Sequence, residues 1–176
     1  MNRIREIPPA ELTPEQKNVF EQLVAGRGRI LGPYKIWIHS PTLASGMEHI
    51  GTYLNKRCSL SPREVETGIL LIAQHWDADY VRQAHIRLGK EVGLTAEQID
   101  AILSGRDPEF TDAHERAVYR FASALVAGAR MTDAEFAEVE SVLGRDGVAE
   151  VLVLIGYYTS VALGMKVHEV PIPAQG

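Results

Sequence analysis

The sequence is poor in cysteine: Cys58 is the single one in 176 residues. One cysteine excludes a disulfide within the chain, and it excludes chemistry that needs two thiols of the same chain. A low cysteine content is typical of proteins in a reducing compartment. The N-terminal stretch MNRIREIPPAEL also lacks the apolar core of a signal peptide. We therefore expect a cytoplasmic protein.

Positive charge and long hydrophobic runs are scarce as well. The formal net charge is −5, and lysine and arginine form no basic stripe, which argues against nucleic acid as a partner. No apolar run reaches the roughly 20 residues that a membrane-spanning helix needs, so we expect no membrane partner. With 45% hydrophobic and 23% charged residues, the sequence predicts one globular domain spanning residues 1–176.

Motifs for common cofactors and metals are missing from the sequence. Gly26-Arg27-Gly28 is not followed by the third glycine of a dinucleotide-binding fingerprint, and there is no P-loop lysine. Histidines and aspartates cluster between residues 75 and 85, but they form no HxxxH or ExxH pattern. Asp77 and Asp79 are better explained as N-caps of a helix. The sequence thus predicts no metal site and no cofactor.

What the sequence does contain is a series of helix start signals, and no period-two strand pattern accompanies them. Capping boxes, in which Ser or Thr precedes Glu or Gln by three residues, occur at Thr13, Ser61, Thr95 and Thr132. Separate helices are predicted from Thr132 and from Gly147. The helix that begins at Pro41 has a predicted inner stripe of Leu43, Met47, Ile50 and Leu54. We predict an all-α fold of seven or eight helices.

The stretch from Ser61 to Leu94 predicts a pair of helices at the centre of this fold. Its first helix is apolar nearly all the way round, which is typical of a buried helix, and Glu66 interrupts it. On the second helix, His85 shares an apolar stripe with Val81. An acid and an imidazole on apolar faces suit proton transfer near neutral pH. The alternative is an ion pair that only stabilises the core, and the sequence leaves both open.

Aromatic and cationic residues near these helices are candidates for binding a substrate. Trp76 and Tyr80 flank the break between the two helices, and Arg82 is suited to hold a substrate carboxylate through two hydrogen bonds. Tyr34 and Trp37 lie in the glycine-rich stretch from residue 26 to 41, which predicts a loop that forms a pocket wall or lid. For each of them, core packing or a solvated surface position is the alternative.

The segment Arg63 to Leu94 resembles the carboxymuconolactone decarboxylase superfamily, which includes the alkylhydroperoxidase D-like proteins. In the hydroperoxidase branch, the motif is a Glu, eleven residues, a Cys, two residues, a second Cys, three residues and a His. Laid on this chain from Glu66, the histidine position falls on His85, and the cysteine positions fall on Ala78 and Val81. Both proton-handling residues of the motif are therefore present, and both sulfurs are missing.

This resemblance implies an all-α homo-oligomer, commonly a trimer or hexamer, with an active site around Glu66 and His85 near a subunit interface. It points to a lyase of aromatic compound catabolism, in which cofactor-free acid–base chemistry acts on a small carboxylated lactone or related ring. An alkylhydroperoxidase-like (peroxiredoxin-type) antioxidant activity is an alternative, although its cycle needs a thiolate and a resolving partner. The other alternative is a non-catalytic oligomeric protein with a binding or assembly role.

Overall fold

The computed structural model describes residues 3–28, 30 and 32–172, and this part of the chain is helical without strands. The predicted all-α fold class is confirmed. A short 3-10 turn at Pro9–Glu11 precedes eight α-helices in the described residues. They are α1 (Pro14–Arg27), α2 (Gly32–Trp37), α3 (Pro41–Lys56), α4 (Pro62–His75), α5 (Asp79–Glu91), α6 (Ala96–Leu103), α7 (Ala113–Val126) and α8 (Asp133–Val167).

The four predicted capping boxes start α1, α4, α6 and α8. At each, the N-cap side chain accepts a hydrogen bond from the backbone N–H three residues later, and the side chain there accepts one from the N-cap N–H; the N-caps are Thr13, Ser61, Thr95 and Thr132. Each box satisfies two of the backbone donors that a helix N-terminus leaves unpaired. The starts of these helices are therefore encoded locally.

Helix α4 is the centre of the fold. Every residue from Glu64 to Ala73 is buried, as the apolar pattern predicts, and α4 contacts α5, α6, α7 and α8. Gly68 lets α8 approach closely, since a Cβ added there would lie 2.7 Å from Leu154 Cδ2. Because α4 is surrounded, any carboxylate on it needs a partner or an opening to solvent.

The two helices predicted from Thr132 and Gly147 are joined in α8, which bends at Gly144. There φ is 68° and ψ is 173°, a conformation that glycine adopts at little cost. Against our expectation from the sequence, α8 is long and apolar enough to cross a membrane by length and composition. Half of its most apolar window is buried inside the fold, as in the core helix of a globular protein, so this helix is weak evidence for a membrane location.

The loop predicted for residues 26–41 is wrong in part, because Gly32–Trp37 forms α2 (Arg29 and Leu31 lie outside the described residues). Tyr34 and Trp37 are buried in the core. A helix this short gains its stability from tertiary packing and not from its own residues, so the local sequence does not predict it.

The inner stripe predicted for α3 is also wrong in part. Leu43 and Ile50 are 50% and 38% exposed, whereas Ala44 and Gly51 are buried. A Cβ added to Gly51 would lie 2.4 Å from the Tyr157 hydroxyl. Close approach to the large Tyr157 ring on α8 requires a residue without a side chain, and this contact sets the rotation of α3.

Candidate active site

Glu66 and His85 are brought together by the packing of α4 against α5. Glu66 Oε2 lies 2.8 Å from His85 Nδ1. The glutamate is 6% exposed, and the histidine side chain is 14% exposed. Since an ionised carboxylate only accepts hydrogen bonds, Nδ1–H of His85 donates to Glu66. The acid and the imidazole that the sequence places on apolar faces thus form a direct pair.

Two polar atoms of this pair are left without a partner in the described part of the chain. Glu66 Oε1 and His85 Nε2 make no hydrogen bond with any residue that the structure describes. Both atoms are in contact with solvent. In the described ranges, the side-chain N or O atom that is fully buried without a hydrogen bond is Ser123 Oγ, and neither Glu66 Oε1 nor His85 Nε2 is such an atom. With Nδ1–H held by the carboxylate, Nε2 can accept a proton from a bound molecule and return it.

Glu64, two residues earlier on α4, is a buried glutamate of a different kind. Its Oε1 lies 2.5 Å from His114 Nδ1 on α7, and its Oε2 accepts a hydrogen bond of 2.7 Å from the Ser61 N–H. Both oxygens are therefore used inside the protein. This second Glu–His pair joins α4 to α7 and completes a capping box, and it leaves no oxygen for a substrate.

Glu150 on α8 is the third glutamate among the buried residues, and its carboxylate is also fully engaged. Oε2 accepts hydrogen bonds from the Ser59 N–H (2.8 Å) and Oγ (2.5 Å), and Oε1 accepts one from the Tyr53 hydroxyl. Burial raises the pKa of Glu150, but the bonds from Ser59 and Tyr53 outweigh burial, so its pKa lies below the ordinary value. Of these three glutamates, Glu66 is the one with an unbound oxygen.

The depressed pKa of Glu150 predicts a pH-dependent contribution to stability. Its carboxylate stabilises the fold fully above the unfolded pKa, and this contribution is lost as the pH falls through the lower folded pKa. We expect Glu150→Gln to lower the free energy of unfolding at pH 7 by about 1–3 kcal/mol. The difference from wild type should shrink below the ordinary glutamate range. Urea unfolding at several pH values measures this, with exposed Glu21→Gln as control; a pH-independent difference would contradict it.

A series of aromatic rings links His85 to the core. Tyr158 stands edge-to-face with the imidazole at 5.6 Å between ring centres, and Tyr157 follows at 5.1 Å from Tyr158. Trp37 lies 5.8 Å from Tyr157, and Tyr34 lies 5.2 Å from Trp37. Tyr34 and Trp37 are buried and so do not form a lid, while their predicted place in a pocket wall stays a prediction. Sequence reasoning missed Tyr157 and Tyr158, whose only signal was two adjacent polar-tipped rings in an apolar helix.

Arg82 is engaged within the protein. Its guanidinium pairs with Asp77 at 2.8 Å and also with Asp79. The predicted role of these two aspartates as N-caps is wrong, because the N-cap of α5 is Ala78 and no side chain bonds there. Both aspartates bind the guanidinium instead, and Asp77 has a φ of 47°, which is not the extended backbone of an N-cap. The predicted binding of a substrate carboxylate by Arg82 stays a prediction.

Trp76 and Tyr80 lie half-buried at the connection between α4 and α5. The Trp76 carbonyl accepts a hydrogen bond of 2.7 Å from Lys166 Nζ on α8. The Tyr80 hydroxyl reaches α2, where a Cβ added to Gly32 would lie 2.9 Å from it. These contacts hold the connection between α4 and α5 against α8 and α2. The role of Trp76 and Tyr80 toward a substrate stays a prediction.

The positions of the two missing cysteines are filled by packed apolar residues. Ala78 and Val81 are 3% and 2% exposed. Cys58 lies just after α3, where its thiol donates to the Leu54 carbonyl at 3.0 Å. Burial raises the pKa of this thiol. A raised pKa leaves little thiolate, which is the nucleophilic form.

Two cavities lie away from the pair. The smaller, about 160 Å³, is next to the N-terminal segment and includes Ile7 and Phe20. The larger is an open groove of about 690 Å³ between α3 and α8, lined by His49, Tyr53 and Val153 among others. Neither is lined by Glu66 or His85. In the described part of the chain, no three His, Cys, Asp or Glu side chains are grouped as a metal site would require.

A family model matches part of the chain. Residues 41–124, which include α4 and α5, match the model of the Carboxymuconolactone decarboxylase family. No curated protein matches the chain.

Solved structures share the fold over nearly the whole chain. The debrominase Bmp8 in complex with 2,3,4-tribromopyrrole has a TM-score of 0.73 at 14% identity, covering 97% of this chain and 91% of its own. A peroxidase-related protein from Silicibacter sp. TM1040 has a TM-score of 0.75 at 16% identity, covering 98% and 93%. An alkylhydroperoxidase AhpD core protein from Ralstonia eutropha JMP134 has a TM-score of 0.75 at 14% identity, with the same coverage. Residues 41–124 are thus similar to the Carboxymuconolactone decarboxylase family, and the chain shares the alkylhydroperoxidase D-like fold.

Proposed function

We propose that this protein is a cofactor-free acid–base enzyme that acts on a small carboxylated lactone or related ring compound. The observation that carries the proposal is the Glu66–His85 pair. Its Oε1 and Nε2 make no hydrogen bond with the described residues of the protein, although Glu66 is buried and the His85 side chain is only 14% exposed. A core ion pair has no need for an open carboxylate oxygen, and Glu64 and Glu150 have none.

In the proposed reaction, loss of CO₂ pushes an electron pair from the broken carbon–carbon bond toward the lactone carbonyl. His85 Nε2, after it has taken up a proton from solvent, donates a hydrogen bond to the oxyanion that develops there. The Glu66 carboxylate holds Nδ1–H and stabilises the imidazolium in a site of low exposure. The proton is then delivered to the carbon that has lost CO₂, by Nε2 or through Glu66 Oε1. Isomerisation or lactone hydrolysis would use the same pair.

The fold is compatible with a small ring substrate. A protein of this fold, the debrominase Bmp8, binds 2,3,4-tribromopyrrole. The family that matches residues 41–124 is named for the decarboxylation of a lactone. Both comparisons support a small ring compound as the substrate class.

A thiol peroxidase reaction is the competing proposal, and the cysteine geometry weighs against it. Cys58 is the one thiol in the sequence, and burial raises its pKa. Ala78 and Val81 supply no sulfur near His85. An antioxidant cycle would therefore depend on Cys58 alone.

Turnover assays on wild type and Cys58→Ser separate these two reactions. We expect both proteins to release CO₂ from at least one member of a panel of carboxylated lactones at equal rates. In D₂O, NMR should show deuterium at the carbon that has lost CO₂. Peroxide reduction that Cys58→Ser abolishes, with no turnover of any lactone, would overturn the proposal. A protein inactive in both assays would favour the binding or assembly alternative.

We also propose that the chain assembles as a homo-oligomer, a trimer or hexamer, in the cytoplasm. Exposed apolar side chains on α3 and α8 support self-association, among them Ile50 (38% exposed) and Val153 (45% exposed). Light scattering coupled to size exclusion measures the mass directly, and a monomer at micromolar concentration would contradict this assembly.

A further inference from the structure

The imidazole of His85 has a second support besides Glu66. Tyr158, on α8, is 7% exposed, and its ring stands at 85° to the imidazole with 5.6 Å between ring centres. This is the edge-to-face geometry that aromatic rings prefer. The pair of His85 with Glu66 joins α4 and α5, so the Tyr158 ring adds a third helix to the site.

Tyr158 is in turn held by α3. Asn55 Nδ2 donates to the Tyr158 hydroxyl at 3.2 Å and to the Gly51 carbonyl at 2.7 Å. Both amide hydrogens of Asn55 are therefore used, one on the backbone of its own helix and one on Tyr158. Asn55 lies on the exposed side of α3, so burial of an apolar side chain does not explain this contact.

A single hydrogen bond fixes one point of the imidazole and leaves the ring able to turn about that bond. The ring torsion of histidine is broad and has no single preferred value. A rigid aromatic ring against the imidazole removes this freedom. With Nδ1 held toward Glu66, the ring then keeps Nε2 in one direction, where a reacting atom would be bound.

We propose that Tyr158 and Asn55 are positioning residues for His85: Asn55 fixes the Tyr158 ring, and that ring holds the imidazole with Nδ1 on Glu66 and Nε2 toward the substrate. This inference rests on the proposed function and extends it to α8 and α3. Neither residue takes part in proton transfer. Their effect is on the orientation and tautomer of His85.

The test combines long-range ¹H–¹⁵N NMR of the histidines, which reports the protonated nitrogen, with steady-state kinetics. In wild type, we expect His85 to be the Nδ1–H tautomer. Tyr158→Leu should give a mixture of tautomers and lower kcat by about tenfold or more, with KM little changed. Tyr158→Phe keeps the ring but loses the hydroxyl that Asn55 binds, so it should shift the tautomer less than Tyr158→Leu and to the same extent as Asn55→Ala. Tyr119→Leu, the same change beside Phe110 and remote from His85, controls for general loss of packing.

Asn55→Ala provides a variant whose folding is not in question, because the side chain is exposed. We expect it to shift the His85 tautomer in the same direction as Tyr158→Leu but less, while Lys56→Ala, its exposed neighbour, has no effect. A wild-type tautomer in both Tyr158→Leu and Asn55→Ala would overturn the inference. If Tyr158→Leu does not fold, the tautomer in Asn55→Ala decides. Because NMR needs no substrate, a shifted tautomer in a protein that turns over no lactone would overturn the proposed function and leave the positioning role standing.

Discussion

Replacement of Glu66 by glutamine is expected to lower turnover by about 10²–10⁴-fold, the range that a positioned acid or base contributes. The amide keeps the shape of the side chain and still accepts a hydrogen bond from His85 Nδ1–H. It cannot take up a proton, and it cannot stabilise the imidazolium by charge. His85→Ala should cause a loss of similar size, since the two residues act as one unit. Steady-state kinetics with the lactone that wild type turns over measures both.

Glu64→Gln is the matched control, because the residue is a buried glutamate paired with a histidine on the same helix. Residues two apart on a helix point about 200° away from each other, so Glu64 faces α7 and Glu66 faces α5. We expect Glu64→Gln to lower the free energy of unfolding by about 1–3 kcal/mol and to leave turnover unchanged. Glu66→Gln should instead lower turnover and leave the free energy of unfolding unchanged. Loss of stability with unchanged turnover in both variants would mean that Glu66 only holds the core together.

The second large effect is expected in the core, where α8 crosses α4. Leu154 is fully buried and fits against Gly68, which has no side chain. Leu154→Ala should lower the free energy of unfolding by about 2–5 kcal/mol, since the lost methyl groups leave a cavity that Gly68 cannot fill. Urea unfolding, with the m-value unchanged, measures this loss.

Leu152→Ala, two residues earlier on α8, makes the same chemical change at a side chain that is 48% exposed. We expect its free energy of unfolding to stay within about 0.5 kcal/mol of wild type. Equal losses in the two variants would contradict the packing of α8 on α4, because Leu154 faces Gly68 and Leu152 does not.

The sequence by itself determined the features that depend on near neighbours in the chain. Capping boxes use residues three apart, so the starts of α1, α4, α6 and α8 are readable before folding. The burial of α4 follows from a run that is apolar on all sides. For the site, Glu66 and His85 stand out because each places a titratable group on an apolar stripe. Their pairing at 2.8 Å then needed only the antiparallel packing of α4 and α5.

Only the tertiary structure decided the features in which distant residues compete for one partner. Asp77 and Asp79 form ion pairs with Arg82 and do not cap α5. The Tyr157 ring packs against α3 at Gly51, so Gly51 faces inward and Ile50 does not. Tyr158 joins the site from more than 70 residues away in sequence, with Asn55 behind it. Local sequence does not predict such contacts, because their energies depend on which helices pack against each other in the folded protein. The starts of α1, α4, α6 and α8 and the two members of the Glu66–His85 pair were therefore readable from the sequence, whereas the contacts that surround His85 depend on the packing of four helices.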